Sequence, residues 1–136
     1  MTIQLSTAVR NARLDAIETQ IGVSAILKIR SGAPPANCGT ADSGTVLATI
    51  NLASDYMSAA ASGAKSMSGL PVSDNAADAT GTAGHFRIYA SDGTTCGLQG
   101  TVTATGGGGD MEVDNTSFAT GQAFSITAFT LNEPNS

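Results

Sequence analysis

This sequence predicts a mainly β fold, an antiparallel β-sandwich or barrel-like domain preceded by one N-terminal α-helix. Three observations carry that expectation. Between Cys96 and Thr105 the even positions (Cys96, Leu98, Gly100, Val102, Ala104) are apolar or small, while Gln99, Thr101, Thr103 and Thr105 fall on the odd ones, a period of two. Phe86, Ile88 and Ala90 alternate in the same phase with His85, Arg87 and Tyr89, and Ser91-Asp92-Gly93 between the two runs is a hairpin signal. A clear helical period, by contrast, is confined to the first 22 residues. With 136 residues the chain is sized for one domain, read here as a helical arm (1–22) and a β-rich domain (23–136).

Taken in order, Ser6 can cap a helix over residues 6–21, Leu14, Ile17 and Ile21 mark its apolar stripe, and Gly22 supplies the stop. Arg10, Arg13, Asp15 and Glu18 occupy its other faces, so the stripe is a narrow seam. It suits first a helix packed on its own domain, and after that one that docks on a partner or on copies of itself. The run VSAILKIR reads as a strand and SGAPPANCGTADSG as a loop that Pro34, Pro35 and its glycines keep irregular. In TVLATINL, Val46, Ala48, Ile50 and Leu52 share one face of a half-buried strand. Residues 53–84 hold few large apolar groups; SDYMSAAAS fits a short helix capped by Ser54, and the remainder reads as loop. In GQAFSITAFTLNEPNS the apolar face switches between Ala128 and Phe129, which implies a bulge or a strand covered on both sides, with Pro134 ending it.

His85, Asp92 and Cys96 lie within a dozen positions, a candidate nucleophile constellation. Hairpin register bears on it. A three-residue loop with Gly93 left-handed would pair Ile88 with Cys96 and Phe86 with Leu98, matching apolar to apolar. Cys96 then points into the core, while His85, Arg87 and Tyr89 face outward on the other side of the sheet. A thiol and an imidazole so placed cannot approach within the roughly 3 Å that activation needs. No catalytic residue, cofactor or metal ligand is therefore expected, and His85, Arg87 and Tyr89 become candidate interface residues.

The glycine run TGGGGD lacks the Lys-Ser/Thr of a phosphate loop and is followed by Asp110, Glu112 and Asp114, so it reads as a mobile tip. Those carboxylates lack the spacing of a calcium loop. Alanine at Gly107 and Gly108 should then change stability by less than about 1 kcal/mol. The net charge of −5 is uneven: residues 1–30 carry Arg10, Arg13, Lys28 and Arg30 against Asp15 and Glu18, whereas later Lys65 and Arg87 face nine acids. An acidic body disfavours nucleic acid, and no apolar run could span a bilayer, so neither nucleic acid nor membrane is an expected partner. Cys38 and Cys96 lack metal-ligand spacing and are expected free in a reducing cytosol, with a disulfide open to them in an oxidising medium.

The phrases STAVRNARLDAIETQIG, AILKIRSGAPPANCGTADSGTVLATINL, GTAGHFRIYASDGTTCGLQGTVTATGGGGDMEVDN and GQAFSITAFTL together resemble small virion structural proteins of tailed bacteriophages. The resemblance covers most of the chain outside residues 53–80 and implies a non-enzymatic particle component, made in the host cytoplasm and located in the virion. A head-decorating (cement) protein is the first expectation, with a major capsid or other virion protein and its own copies as partners. Arg10, Arg13, Leu14, Ile17 and Ile21 are then the candidate attachment residues. A tail or fibre component trimerising through Leu14, Ile17 and Ile21 is the alternative. A carbohydrate-binding β-domain ranks lower, since the chain has no Trp and only Tyr56 and Tyr89.

Overall fold

The computed structural model describes residues 3–133, so Pro134 lies outside the described residues. The helix α1 spans Thr7–Ile21. The Ser6 hydroxyl accepts from the Val9 N–H at 3.3 Å, and Gly22, at φ 89°, closes the other end by donating its N–H to the Glu18 carbonyl. Leu14 and Ile21 are buried against the chain's own body.

Polar side chains fasten the rest of α1 to the segment 57–65. Asn11 accepts from the Gly63 N–H, Asp15 from the Ala60 N–H and Glu18 from the Met57 N–H, at 2.9, 3.1 and 3.2 Å. Lys65, only 4% exposed, donates to Asp15, Glu18 and the Ser58 carbonyl. Burial opposes its charge, but the two carboxylates overcome this and raise its pKa. The helix expected as an arm is thus docked on the body, and Leu14 and Ile21 are not available as a free seam.

Nine strands follow among the described residues: β1 (Ile26–Ser31), β2 (Val46–Asn51), β3 (Ala64–Ser66), β4 (Val72–Asp74), β5 (Gly81–Tyr89), β6 (Cys96–Ala104), β7 (Met111–Val113), β8 (Ser117–Phe118) and β9 (Phe124–Asn132). The fold is mainly β, as expected. The strands join in one mixed sheet of order β2-β1-β5-β6-β7-β9-β3, with β4 on β9 and β8 on β5, and the sheet does not close into a barrel. Phe129 of β9 meets Phe86 of β5 edge-on at 5.2 Å although β6 and β7 lie between these strands in the sheet, and both rings share one core with Leu27, Ile29, Leu47, Ile88, Met111 and Ile126. The face switch expected in the last strand is present as a bulge: Ala128 pairs with Glu112 and Ile126 with Val113, leaving Thr127 over.

Three local expectations are corrected. Residues 54–62 form turns and isolated β-bridges rather than a short helix, because Tyr56 and Met57 are drawn into the core and Met57 bridges to Met67. Part of the region read as loop is strand, namely β3, β4 and the start of β5. The glycine run, finally, is no loose tip. β6 and β7 run parallel with only residues 105–110 between them, pairing Val102 with Met111. Parallel neighbours ordinarily need a crossover of about a dozen residues or more. Here the chain instead turns straight back along β6: the Gly109 N–H donates to Thr103 Oγ1, and the Thr101 N–H and hydroxyl both donate to Asp110. A Cβ on Gly107 would lie 2.7 Å from Thr103, and Gly106 and Gly108 hold φ of 86° and 80°.

The β5–β6 hairpin keeps the expected parity but not the expected register. Ile88 pairs with Leu98 and Phe86 with Gly100, two residues further along than apolar matching suggested. Asp92 explains the shift. Its carboxylate accepts from the Thr94 and Thr95 N–H groups and from the Thr95 hydroxyl, which extends the loop and lowers its own pKa to about 2. Gly97 becomes the bulge, because a Cβ there would meet Ile21 at 2.5 Å. Cys96 pairs with Tyr89 and leaves the core face for the opposite one.

Candidate functional site

Alternation along three neighbouring strands gathers polar side chains on the face away from the core. Lys28 lies opposite Arg87 and Arg30 opposite His85 between β1 and β5, while Gln99 and Cys96 of β6 lie opposite Arg87 and Tyr89. The expectation that His85, Arg87 and Tyr89 share this face holds. Their expected exposure does not: they are 0%, 2% and 0% exposed. The loop 32–45, read from sequence only as irregular, lies across the face as a strap.

Tight backbone approaches fix both ends of the strap. A Cβ on Gly84 would lie 2.2 Å from the Gly32 carbonyl oxygen, and one on Gly44, at φ 72°, would lie 2.0 Å from that of Ser31. The Ser31 N–H donates to the Thr45 carbonyl at 3.1 Å, closing the neck. Between these ends the strap is held by the face beneath it. Asp42 Oδ1 accepts from Arg87 at 2.8 Å and from the Tyr89 hydroxyl at 2.7 Å, and Asp42 Oδ2 accepts from Arg30 at 3.0 Å. Arg87 also donates to Gln99 and to the Asn37 carbonyl, and Gln99 donates to the Pro35 carbonyl at 2.7 Å. Partial burial opposes the Asp42 charge, but Tyr89, Arg30 and Arg87 overcome it and hold the carboxyl below its usual range.

His85 Nδ1 lies 2.8 Å from the Gly32 carbonyl. A carbonyl only accepts, so Nδ1 carries the proton of the neutral ring. Burial, together with the adjacent arginines, lowers the His85 pKa and keeps the ring neutral. Its Nε2 and the Nε of Arg30 are both buried without a protein partner.

The proposed nucleophile constellation does not assemble, though for a different reason than register suggested. Cys96 and His85 share a face, but Cys96 sits beside Tyr89, four residues along β5 from His85, or about 13 Å. Asp92 is committed to its turn, and burial followed by the neighbouring Cys38 thiol pushes the Cys96 pKa up, the wrong direction for a nucleophile. Among the described residues, no three His, Cys, Asp or Glu side chains converge as a metal site would require. No helix there is long and apolar enough to cross a membrane.

The second notable surface is on the α1 side. A half-open groove of about 390 Å³ runs between α1 and the hairpin, lined by Arg13, Ala16, Ile17, Gln20, Ala90 and Gly97 among others. The large apolar side chains left exposed among the described residues are Ile3, Val9 and Val23, all on α1 or beside it. The basic character expected of residues 1–30 is largely absorbed within the fold. Arg10 donates to the Glu133 carbonyl, Arg13 pairs with the Glu133 carboxylate, Arg30 pairs with Asp42, and Lys28 lies over the Tyr89 ring at 5.0 Å. Sequence reasoning placed Arg10 and Arg13 on an attachment surface, and it missed Asp42 and Gln99. The available signal was two arginines in phase on adjacent strands, which require a carboxylate if anything covers them.

Comparison with known proteins finds no matching family model, no significantly similar curated protein and no significantly similar solved structure.

Proposed function

We propose that this protein is a structural component of a tailed-bacteriophage particle, a decoration protein that attaches to the shell through its α1 side. The observation that carries the proposal is that the exposed large apolar side chains of the described residues, Ile3, Val9 and Val23, all lie on or beside one helix whose buried seam is already committed to the fold. Attachment on this reading is apolar, through the outer surface of α1 and the groove beside it. Long-range attraction by a basic arm plays little part, since Arg10 and Arg13 are tied to Glu133. The resemblance of the sequence phrases to phage virion proteins supports the same reading.

Trimerisation of a tail or fibre component through Leu14, Ile17 and Ile21 has less support, because two of the three are spent in the core. A sugar platform has less still, with Tyr56 and Tyr89 only 4% and 0% exposed. The test is co-sedimentation of the folded protein with capsids of the phage that encodes it. The wild type should pellet with the shell. A double variant, Val9→Asp and Val23→Asp, should stay in solution with an unchanged circular dichroism spectrum. Equal binding by the variant would move the attachment surface away from α1, and binding to purified tails alone would replace the decoration reading by the tail reading.

A further inference from the structure

The strap and β6 bring two thiols to one place. Contacts on the strap fix the position of Cys38: the Pro35 carbonyl accepts from Gln99, the Asn37 carbonyl accepts from Arg87, and the Thr40 N–H returns to Asn37. Arg87 and Gln99 flank the Tyr89–Cys96 pair in the sheet. The Gly97 bulge turns Cys96 out of the core and toward the strap, where its thiol neighbours that of Cys38 and donates to the Leu98 carbonyl at 3.6 Å. Both cysteines are unbridged and partly exposed. Apart from the backbone bonds at its neck, the strap is held to the sheet face by polar contacts.

We infer that Cys38 and Cys96 form a reversible intramolecular disulfide that locks the 32–45 strap onto the sheet when the protein meets a small oxidised disulfide such as glutathione disulfide. In the first step Cys38 loses its proton to solvent, and its thiolate attacks one sulfur of glutathione disulfide. One glutathione leaves as a thiolate and is protonated. Cys96 then gives up its proton and attacks the Cys38 sulfur of the mixed disulfide, expelling the second glutathione. Two electrons pass from the cysteine pair to glutathione disulfide, which ends as two thiols. Attack begins at Cys38, which sits in the strap loop, because burial and then the adjacent Cys38 thiol push the Cys96 pKa up. The bridge stabilises by tying together residues far apart in sequence, which restricts the unfolded chain. This inference rests on the strap geometry and stands whether or not the protein binds a capsid.

The experiment exposes the folded, reduced chain to excess glutathione disulfide, quenches, denatures and alkylates it, and reads the mass. The expected product is monomeric, has no alkylatable thiol and carries no glutathione. Its unfolding temperature should rise by roughly 10 °C and fall back on reduction with dithiothreitol. A Cys96→Ser variant should instead retain one glutathione, on Cys38, with no such rise. A wild-type chain that keeps both thiols, retains glutathione or crosslinks to a second copy would overturn the inference. So would a bridge that forms and leaves the unfolding temperature unchanged.

Discussion

At Arg87 one side chain ties the strap to the sheet face beneath it. Its guanidinium donates to Asp42, Gln99 and the Asn37 carbonyl, so the buried charge has a partner on each nitrogen. His85 beside it is buried neutral, which couples stability to pH. The folded pKa of His85 lies below the unfolded value of about 6.5, so just below that pH the unfolded chain binds the extra proton and stability falls. Asp42 acts in a lower window. Its folded pKa is depressed, so its contribution is complete above roughly pH 4 and is lost as the pH drops further. Urea-unfolding midpoints should therefore fall between pH 7.5 and 5.5 for the wild type. They should stay level for His85→Asn, whose amide N–H can replace Nδ1–H toward Gly32. An equal fall in the variant would assign the titration to another group.

Among the elements, the β6–β7 return depends most on particular residues. Six residues turn the chain back on itself so that β7 pairs parallel to β6, which works because Gly106 and Gly108 take left-handed conformations and Gly107 and Gly109 lie against Thr103. The small effect anticipated from a mobile tip is replaced by a larger one. Gly107→Ala places a methyl group against Thr103, and Gly108→Ala forces a left-handed alanine. Each should destabilise by roughly 1–3 kcal/mol in chemical denaturation. A change below about 0.5 kcal/mol at both positions would show that the return segment adjusts freely.

At the scale of the whole molecule, α1 and the sheet form one unit. Ile21 joins the common core, Leu14 is buried beneath the helix, and Lys65 is buried only because Asp15 and Glu18 arrive on the helix. Removing residues 1–22 would strand a buried ammonium and uncover the apolar surface beneath the helix, so the truncated chain should lose its cooperative thermal transition. A milder variant, Leu14→Ala, should cost about 2–4 kcal/mol and remain folded enough to measure. A truncated chain that melts cooperatively at the wild-type temperature would restore the independent-arm picture.

The sequence by itself determined what depends on neighbours along the chain. Ser6 and Gly22 bound the helix, Phe86/Ile88 and Leu98/Val102 take the core side by period two, and Gly93 sits left-handed in the hairpin as its turn chemistry requires. Tertiary structure decided what depends on residues distant in sequence. Period two places His85, Arg87 and Tyr89 together on one face but carries no information about what lies over that face. Their burial is set by a loop whose Asp42 lies 45 positions from Arg87, brought there because two in-phase arginines need a carboxylate. The need for glycine at the hairpin bulge likewise depends on Ile21, a helix residue whose side chain occupies the space a Cβ on residue 97 would need. The bulge itself follows from the Asp92 turn and carries Cys96 from the core face to the opposite one.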